Sequence, residues 1–415
     1  MLSFKNKLLN EAAAAKNTHM THIEDLVLDG GVKGARQAIL ALRALRDMLS
    51  GNAKAPVDVT VKWDGAPAIF AGLDPNDGKF FVAKKGIFNA NPKVYKSHDD
   101  IDADTSGDLS KKLKLAFDNL KGLGITGVIQ GDFMFDSNDL KTEKINGISH
   151  ITFHPNTIVY AVPTNTPLAK EITKAKIGIV WHTKYEGATF ETMKAEFAAD
   201  ITSKLKKNSK VWQVDATLPD ISGTASMTAK ETAAATKALS NAGKIFKQIA
   251  ASTLKEIESD KELNLLINTY NNTKVRANQR ITNTKSHVKG MITWVNDRYD
   301  KQANKLSSPK GKAGVEAKRE RVLKFFSTSN QKKLQLVFDL QNYIVDSKLI
   351  IINKLNSLNN IGTFVKTKSG FKVTNPEGFV AIDRMEGGAV KLVDRLEFSA
   401  NNFSKDIIKG WENPG

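Results

Sequence analysis

VTVKWDGAPAIF, residues 59–70, is the stretch on which the reading turns. Alternating Val and Thr make it a strand, yet it ends in Lys62, Trp63, Asp64 and Gly65, and strand interiors disfavour Lys, Asp and Gly. A lysine at the rim of a rigid strand is either half of a surface ion pair or an amine presented for chemistry. The ammonium is a poor nucleophile at its ordinary pKa of about 10.4; partial desolvation and neighbouring cations free its lone pair. Asp64 could orient the ammonium or help hold a metal ion, and Gly65 lets the backbone pass close to a bound group.

Working outward, VKGARQAILALRALRDML (32–49) has helical spacing and stops before Gly51. From 57 to about 190 the texture is short β-rich runs: VDVTVKW, APAIFAGL, KFFVAKK, GVIQGDFMF, HITFHP, TIVYAV and KIGIVWHT. LDPNDGKF (73–80) has hairpin turn chemistry, and one helix is expected near 109–121. From about 191 to 358 the pattern is mostly helical. Thr228 and Glu231 form a capping box, SSPKGKAG (307–314) reads as a basic flexible link, and Leu334, Val337, Leu340, Ile344 and Leu349 share one face of a long helix. β texture returns in TFVKTKSGFKVTNPEGFVAI (363–382) and GGAVKLVDRLEF.

The expected organisation is therefore an N-terminal helical segment (1–56), a β-rich body (57–190), an inserted basic helical domain (191–360) and a part completing the body (361–415). Charge follows that division. The net charge is +17, and residues 201–360 carry 28 Lys and Arg against 13 Asp and Glu, so one internal block holds nearly the whole excess. Positive charge so concentrated points to a polyanion, most often nucleic acid; the bland alternative is a solvated lysine-rich surface. Cysteine is absent, which excludes disulfides, thiolate metal sites and a cysteine nucleophile. With no secretory pattern at the N-terminus and no apolar run of about 18 residues, a cytoplasmic protein without a membrane span is expected. His19, His22, Glu24 and Asp25 in THMTHIEDL raise a metal site, although a helix N-terminal cluster fits them better; His150 and His154 are read as structural.

Lys62-x-Asp64-Gly65 has company in a particular order. The set resembles the covalent nucleotidyltransferases, the superfamily of polynucleotide ligases and mRNA capping enzymes, whose motif lysine takes up a nucleoside monophosphate. FVAKKGIFN supplies a basic residue before glycine, with Lys85 preferred to Lys84 because adjacent strand residues face opposite ways. VIQGDFMF offers Gly131 and Asp132 where the family has Gly-Glu, and KIGIVWHTKY offers Trp181 where an aromatic stacks on the purine. NPEGFVAI gives Glu377 and Gly378, whose carboxylate the family places near metal, and GGAVKLVDR gives Lys391, which would contact the α-phosphate. Pro67 stands where an Arg is common, and Ala389 and Val393 flank a single motif V lysine where two are usual.

The resemblance implies an α+β fold: an antiparallel-sheet nucleotidyltransferase (ligase adenylation) domain with a large inserted basic α-helical domain. It implies Lys62, Asp64 and Lys391 as catalytic residues, and Gly65, Lys85, Asp132, Trp181, Glu377 and Gly378 around the nucleotide. Glu377 and Asp132 would hold Mg²⁺, or Mn²⁺ in its place. Only 24 residues follow Lys391, too few for an OB fold. Together with the lack of cysteine, this resembles compact ATP-dependent RNA ligases of bacteriophages, so ATP is the expected cofactor, RNA is favoured over DNA, and the compartment would be the host cytoplasm. Two alternatives stay open: a non-catalytic nucleic-acid binder on a decayed fold, and a nucleotidyltransferase that modifies a protein or an RNA end.

Overall fold

The computed structural model describes residues 20–51, 57–89, 91–218, 226–358, 361–383 and 389–412. In chain order, α1 (Leu26–Asp29) and α2 (Gly31–Leu49) precede strands β1 (Val57–Lys62), β2 (Ala68–Leu73) and β3 (Phe80–Ala83). Helices α3 (His98–Asp104) and α4 (Gly107–Leu120) lead to β4 (Val128–Asp136), β5 (Lys141–Ile145), β6 (Ile148–Phe153) and β7 (Val159–Pro163). Then come α5 (Pro167–Lys174), β8 (Ile177–Glu186), β9 (Lys194–Phe197) and β10 (Val211–Asp215). A run of helices follows: α6 (Ala229–Gln248), α7 (Ala251–Ser259), α8 (Lys261–Arg276), α9 (Thr284–Asn304), α10 (Pro309–Phe325) and α11 (Thr328–Asn356). The chain closes through β11 (Gly362–Thr367), β12 (Gly370–Val373), β13 (Gly378–Asp383), β14 (Ala389–Leu392), α12 (Arg395–Phe403) and β15 (Ile407–Ile408).

The protein is α+β, and its strands form three sheets, antiparallel except where β10 runs parallel to β8. A small sheet has the order β1-β13-β14. A large one runs β10-β8-β4-β2-β3 with β9 also on β8, and a third runs β12-β11-β7-β6-β5 with β15 on β11. The first two are stitched together where the chain leaves β10: Val61 N donates to Ala216 O (2.8 Å) and Leu218 N to Val59 O (2.8 Å).

One face of the large sheet, carrying Ile69, Phe133, Ile179 and Trp181, packs on Leu113, Ala116 and Leu120 of α4. The other face supplies Met134 and Val180 to a main core shared with the small sheet and the helices. The division of the chain differs from expectation in three respects. Residues 194–215 hold no α-helix, because β9 and β10 pair on β8 with only a short 3-10 turn (Thr202–Lys204) between them, so the α-helical run starts at Ala229. The N-terminal α2 shares the main core with α6 and α11 instead of standing apart. SSPKGKAG is no loose link: Ser308 Oγ accepts from Gly311 N (3.1 Å), and Pro309, at a position where proline suits a helix, opens α10. The capping box forms as read, with Thr228 and Glu231 bonding reciprocally at the start of α6.

Candidate functional site

β1 ends at Lys62 because the next two residues are anchored elsewhere. Trp63 is buried and stacks on Tyr160 with ring centroids 4.9 Å apart. Asp64 is buried as well: Asn156 Nδ2 donates to one carboxylate oxygen (2.6 Å), while Thr157 N (2.7 Å) and Ile158 N (2.9 Å) donate to the other. Asp64 N in turn donates to Tyr160 Oη (2.7 Å). Asp64 therefore fixes the turn that presents the lysine, and its effect on the neighbouring groups is through its charge. Gly65 is needed at the following step, since a Cβ there would lie 2.6 Å from Asp132 Cβ.

Lys62 pairs in register with Gly378 on β13, which brings the side chain of Glu377 onto it; the two form an ion pair. Gly378 has φ +147°, and a Cβ on it would meet Val393 Cγ2 at 2.6 Å and Leu392 O at 2.7 Å, so no other residue fits without strain. The turn before Glu377 is held from α12: Glu397 accepts from Asn375 N (3.0 Å), Asn375 Nδ2 (2.6 Å) and Thr374 Oγ1 (2.8 Å).

The other expected residues converge unequally. Asp132 lies on β4 opposite Val180. Burial, joined by the charges of Glu377 and Asp64, pushes its carboxyl up to about 7 against the opposing pull of Lys62 and Lys85. Glu377 is likewise raised, by burial first and then by Asp64, with Lys62 opposing. Lys391 pairs with Val380, and its strand is braced by Lys391 N donating to Thr21 O (3.0 Å) and Ile23 N donating to Lys391 O (3.1 Å). Burial lowers the Lys391 pKa, and Lys62 and Lys85 lower it further. Lys85, exposed, thus faces the cluster, whereas Lys84 points away to Asp104 (2.9 Å).

Trp181 does not join them. It is fully buried on the α4 side of the large sheet, its Nε1–H donating to Gln213 Oε1 (3.0 Å), so it forms the back of the sheet instead of a surface for a base. The next residue, His182, lies within reach of the Lys62 charge. Burial and then the Lys62 charge lower it to about 4, so the ring is neutral. Sequence alternation alone could have suggested it, since it sits one residue from the chosen aromatic.

The result is three lysines (62, 85, 391), three carboxylates (Asp64, Asp132, Glu377) and a neutral imidazole within electrostatic reach of one another. With Asp132 only partly ionised near neutrality, the balance leans positive and favours an anion. Among the described residues no group of three or more His, Asp or Glu side chains is disposed to hold a metal ion. His22, Glu24 and Asp25 serve as a brace: Glu24 binds Lys348 (2.7 Å) and Asp25 binds Arg395 (2.9 Å), while His19 lies outside the described residues. His150 Nδ1 and His154 Nε2 contact the backbone oxygens of Ile148 (2.9 Å) and Thr157 (3.3 Å), in line with structural roles.

Among the described residues no helix is long and apolar enough to cross a membrane. The chain belongs to the DUF6267 family, a family of unknown function whose profile matches residues 17–407. No curated protein and no solved structure matches it.

Proposed function

We propose that the protein is an ATP-dependent covalent nucleotidyltransferase that joins polynucleotide ends, RNA in preference to DNA. The observation that carries this reading is the meeting of Lys62 with Glu377, from opposite ends of the chain, in a cluster that also gathers Lys391, Lys85 and Asp132. The Lys62 amine attacks the α-phosphorus of ATP: an N–P bond forms, the bond to the bridging oxygen breaks, and pyrophosphate leaves. Lys391 and Lys85 offset charge on the phosphoryl oxygens, which is the main requirement of in-line displacement. The AMP then passes to a 5′-phosphate, and a 3′-hydroxyl displaces it to close the strand.

Mg²⁺ usually binds through one or two carboxylates plus substrate phosphates, so a cage of protein ligands is not required. Glu377 and Asp132 fit that role as the two carboxylates of the cluster that burial raises above their ordinary range. The ion would supply charge neutralisation at the transferring phosphate. On the protein's side, the Lys62 ammonium must pass a proton to Glu377 or to solvent before the amine can react, and Asp64 keeps the presenting turn in place meanwhile.

Incubation with Mg²⁺ and ATP radiolabelled at the α-phosphorus, followed by a denaturing gel, tests the proposal. A labelled band that is lost in Lys62→Arg supports it; no band with any nucleoside triphosphate favours the non-catalytic binder. A labelled protein that fails to seal nicked or single-stranded RNA points to end modification instead.

A further inference from the structure

Along β4 and β8 the register is Gln130 opposite Thr183, then Gly131 opposite Trp181. His182 is the extra residue, so it occupies a β-bulge. Bulges re-aim side chains and gather beside active sites. The local packing explains the placement: a Cβ at Gly131 would meet Val180 O at 2.5 Å and Trp181 Cε3 at 2.8 Å, so the indole lies across β4 on the α4 side, while the imidazole bonds to Thr183, the residue paired with Gln130 two positions before Asp132, and feels the Lys62 charge. Its Nδ1 lies 2.7 Å from Thr183 Oγ1. Among the described residues its Nε2 has no hydrogen-bond partner, and it is not among the polar atoms sealed from solvent.

We propose that His182 is a phosphate-binding residue of this site, its Nε2–H donating to anionic oxygens of the triphosphate brought to Lys62; the identity of that anion rests on the transfer reading above. When the Thr183 hydroxyl donates to Nδ1, the single ring proton sits on Nε2, which no described residue engages. A neutral donor beside three lysines is suited to an anion: it adds a directed hydrogen bond without the repulsion a fourth cation would bring.

Two measurements test the proposal together. In the first, ring ¹⁵N–¹H signals are followed while metal-free pyrophosphate is added, with the His182 signals identified by their loss in His182→Gln. A saturable shift is expected; signals that stay fixed overturn the proposal. In the second, the rate of Lys62 labelling is compared across variants of equal melting temperature. His182→Ala is expected to lower it about a hundredfold, as for loss of one preorganised donor, and His182→Gln, whose Nε2 reaches a similar point, to restore most of it. Rescue by His182→Leu but not by His182→Gln would mean that the ring only fills space. If wild-type protein takes no label at all, the transfer reading fails, and the pyrophosphate titration still decides the anion site.

Discussion

Two of the molecule's lysine–glutamate pairs lie one on each side of the short strand β14, and they behave oppositely. Lys348 and Glu24 have side chains only 1% and 6% exposed and sit 2.7 Å apart. Burial pushes the Glu24 carboxyl up, but Lys348, His22 and Arg395 outweigh it, and its pKa ends below the ordinary range. Gln341 Nε2 adds a hydrogen bond to Glu24 O (3.1 Å), tying α11 to the segment that braces Lys391. Lys62 and Glu377 are more open, at 29% and 14%, and there the balance tips the other way: burial and Asp64 outweigh Lys62, and Glu377 is raised. The first pair is closed to solvent and held by Lys348 and Arg395 through Glu24 Oε1, while Glu24 Oε2 is buried with no hydrogen-bond partner among the described residues. The second is reached by solvent and sits within the electrostatic influence of Lys85, Lys391 and Asp132, so a charged ligand could approach it. Two ion pairs of the same composition thus divide into a bolt and a site.

Exchanging cations at the two positions should separate these roles most sharply. Lys62→Arg keeps a charge for Glu377 but removes the nucleophile, so covalent labelling is expected to vanish while the melting temperature stays close to wild type. Retained labelling would transfer the chemistry to another residue. Lys348→Ala strands a buried carboxylate and is expected to cost about 3–5 kcal/mol in urea unfolding. The double variant Lys348→Met with Glu24→Gln should recover most of that loss, since a buried pair often gains little over an apolar replacement. If Lys348→Ala unfolds no more readily than wild type, the bolt is not structural.

The site half of this contrast was more legible in sequence than the bolt. Val57, Val59 and Val61 alternate into the core and lead directly to Lys62, and Gly378 follows Glu377 because the crowded backbone requires it. Local chemistry marks such positions. What sequence hides are relations set by distant partners. β10 lies beside β8 through a parallel pairing, and its five residues sit in a lysine-rich region that reads as helix. The bulge at His182 shifts the phase of a strand in a way that depends on β4, so the resemblance that picks out Trp181 as the stacking aromatic gives no sign of which face it takes. The bolt joins residues 24 and 348, and a lysine on a basic helix gives no sign that it is buried.

A smaller effect distinguishes the open site by pH. Asp132 in the unfolded chain titrates near 3.8, and in the folded protein burial raises it to about 7. Its protonated form is therefore favoured by folding: the stabilisation is complete below about 3.8 and is lost as pH rises through about 7. Asp132→Asn should then be more stable than wild type at pH 8 by on the order of 2–3 kcal/mol, after discounting for the solvent that still reaches the carboxylate, and the difference should shrink towards pH 4. Unfolding curves at the two pH values measure it. Equal stability at both would show that Lys62 and Lys85 already compensate the acid.

The smallest expected change concerns the basic helices. In the α9–α10 hairpin Arg319 and Arg321 are committed to Asp300, Glu316, Asp260 and Glu262, so they hold the helices together and offer little free charge. Lys301, Lys305, Lys310 and Lys312, around the turn between the helices, are exposed, and none has a carboxylate within ion-pair distance among the described residues. Released counterions make nucleic-acid affinity fall with salt by roughly 0.7 to 0.9 in log–log slope for each phosphate neutralised. Lys305→Ala and Lys310→Ala should therefore each flatten that slope by about 1, and Lys62→Arg should leave it unchanged. Slopes measured on the same RNA between low and physiological salt decide the matter. If the two alanine variants match wild type, the hairpin lysines only solvate the surface, and the polyanion is held elsewhere.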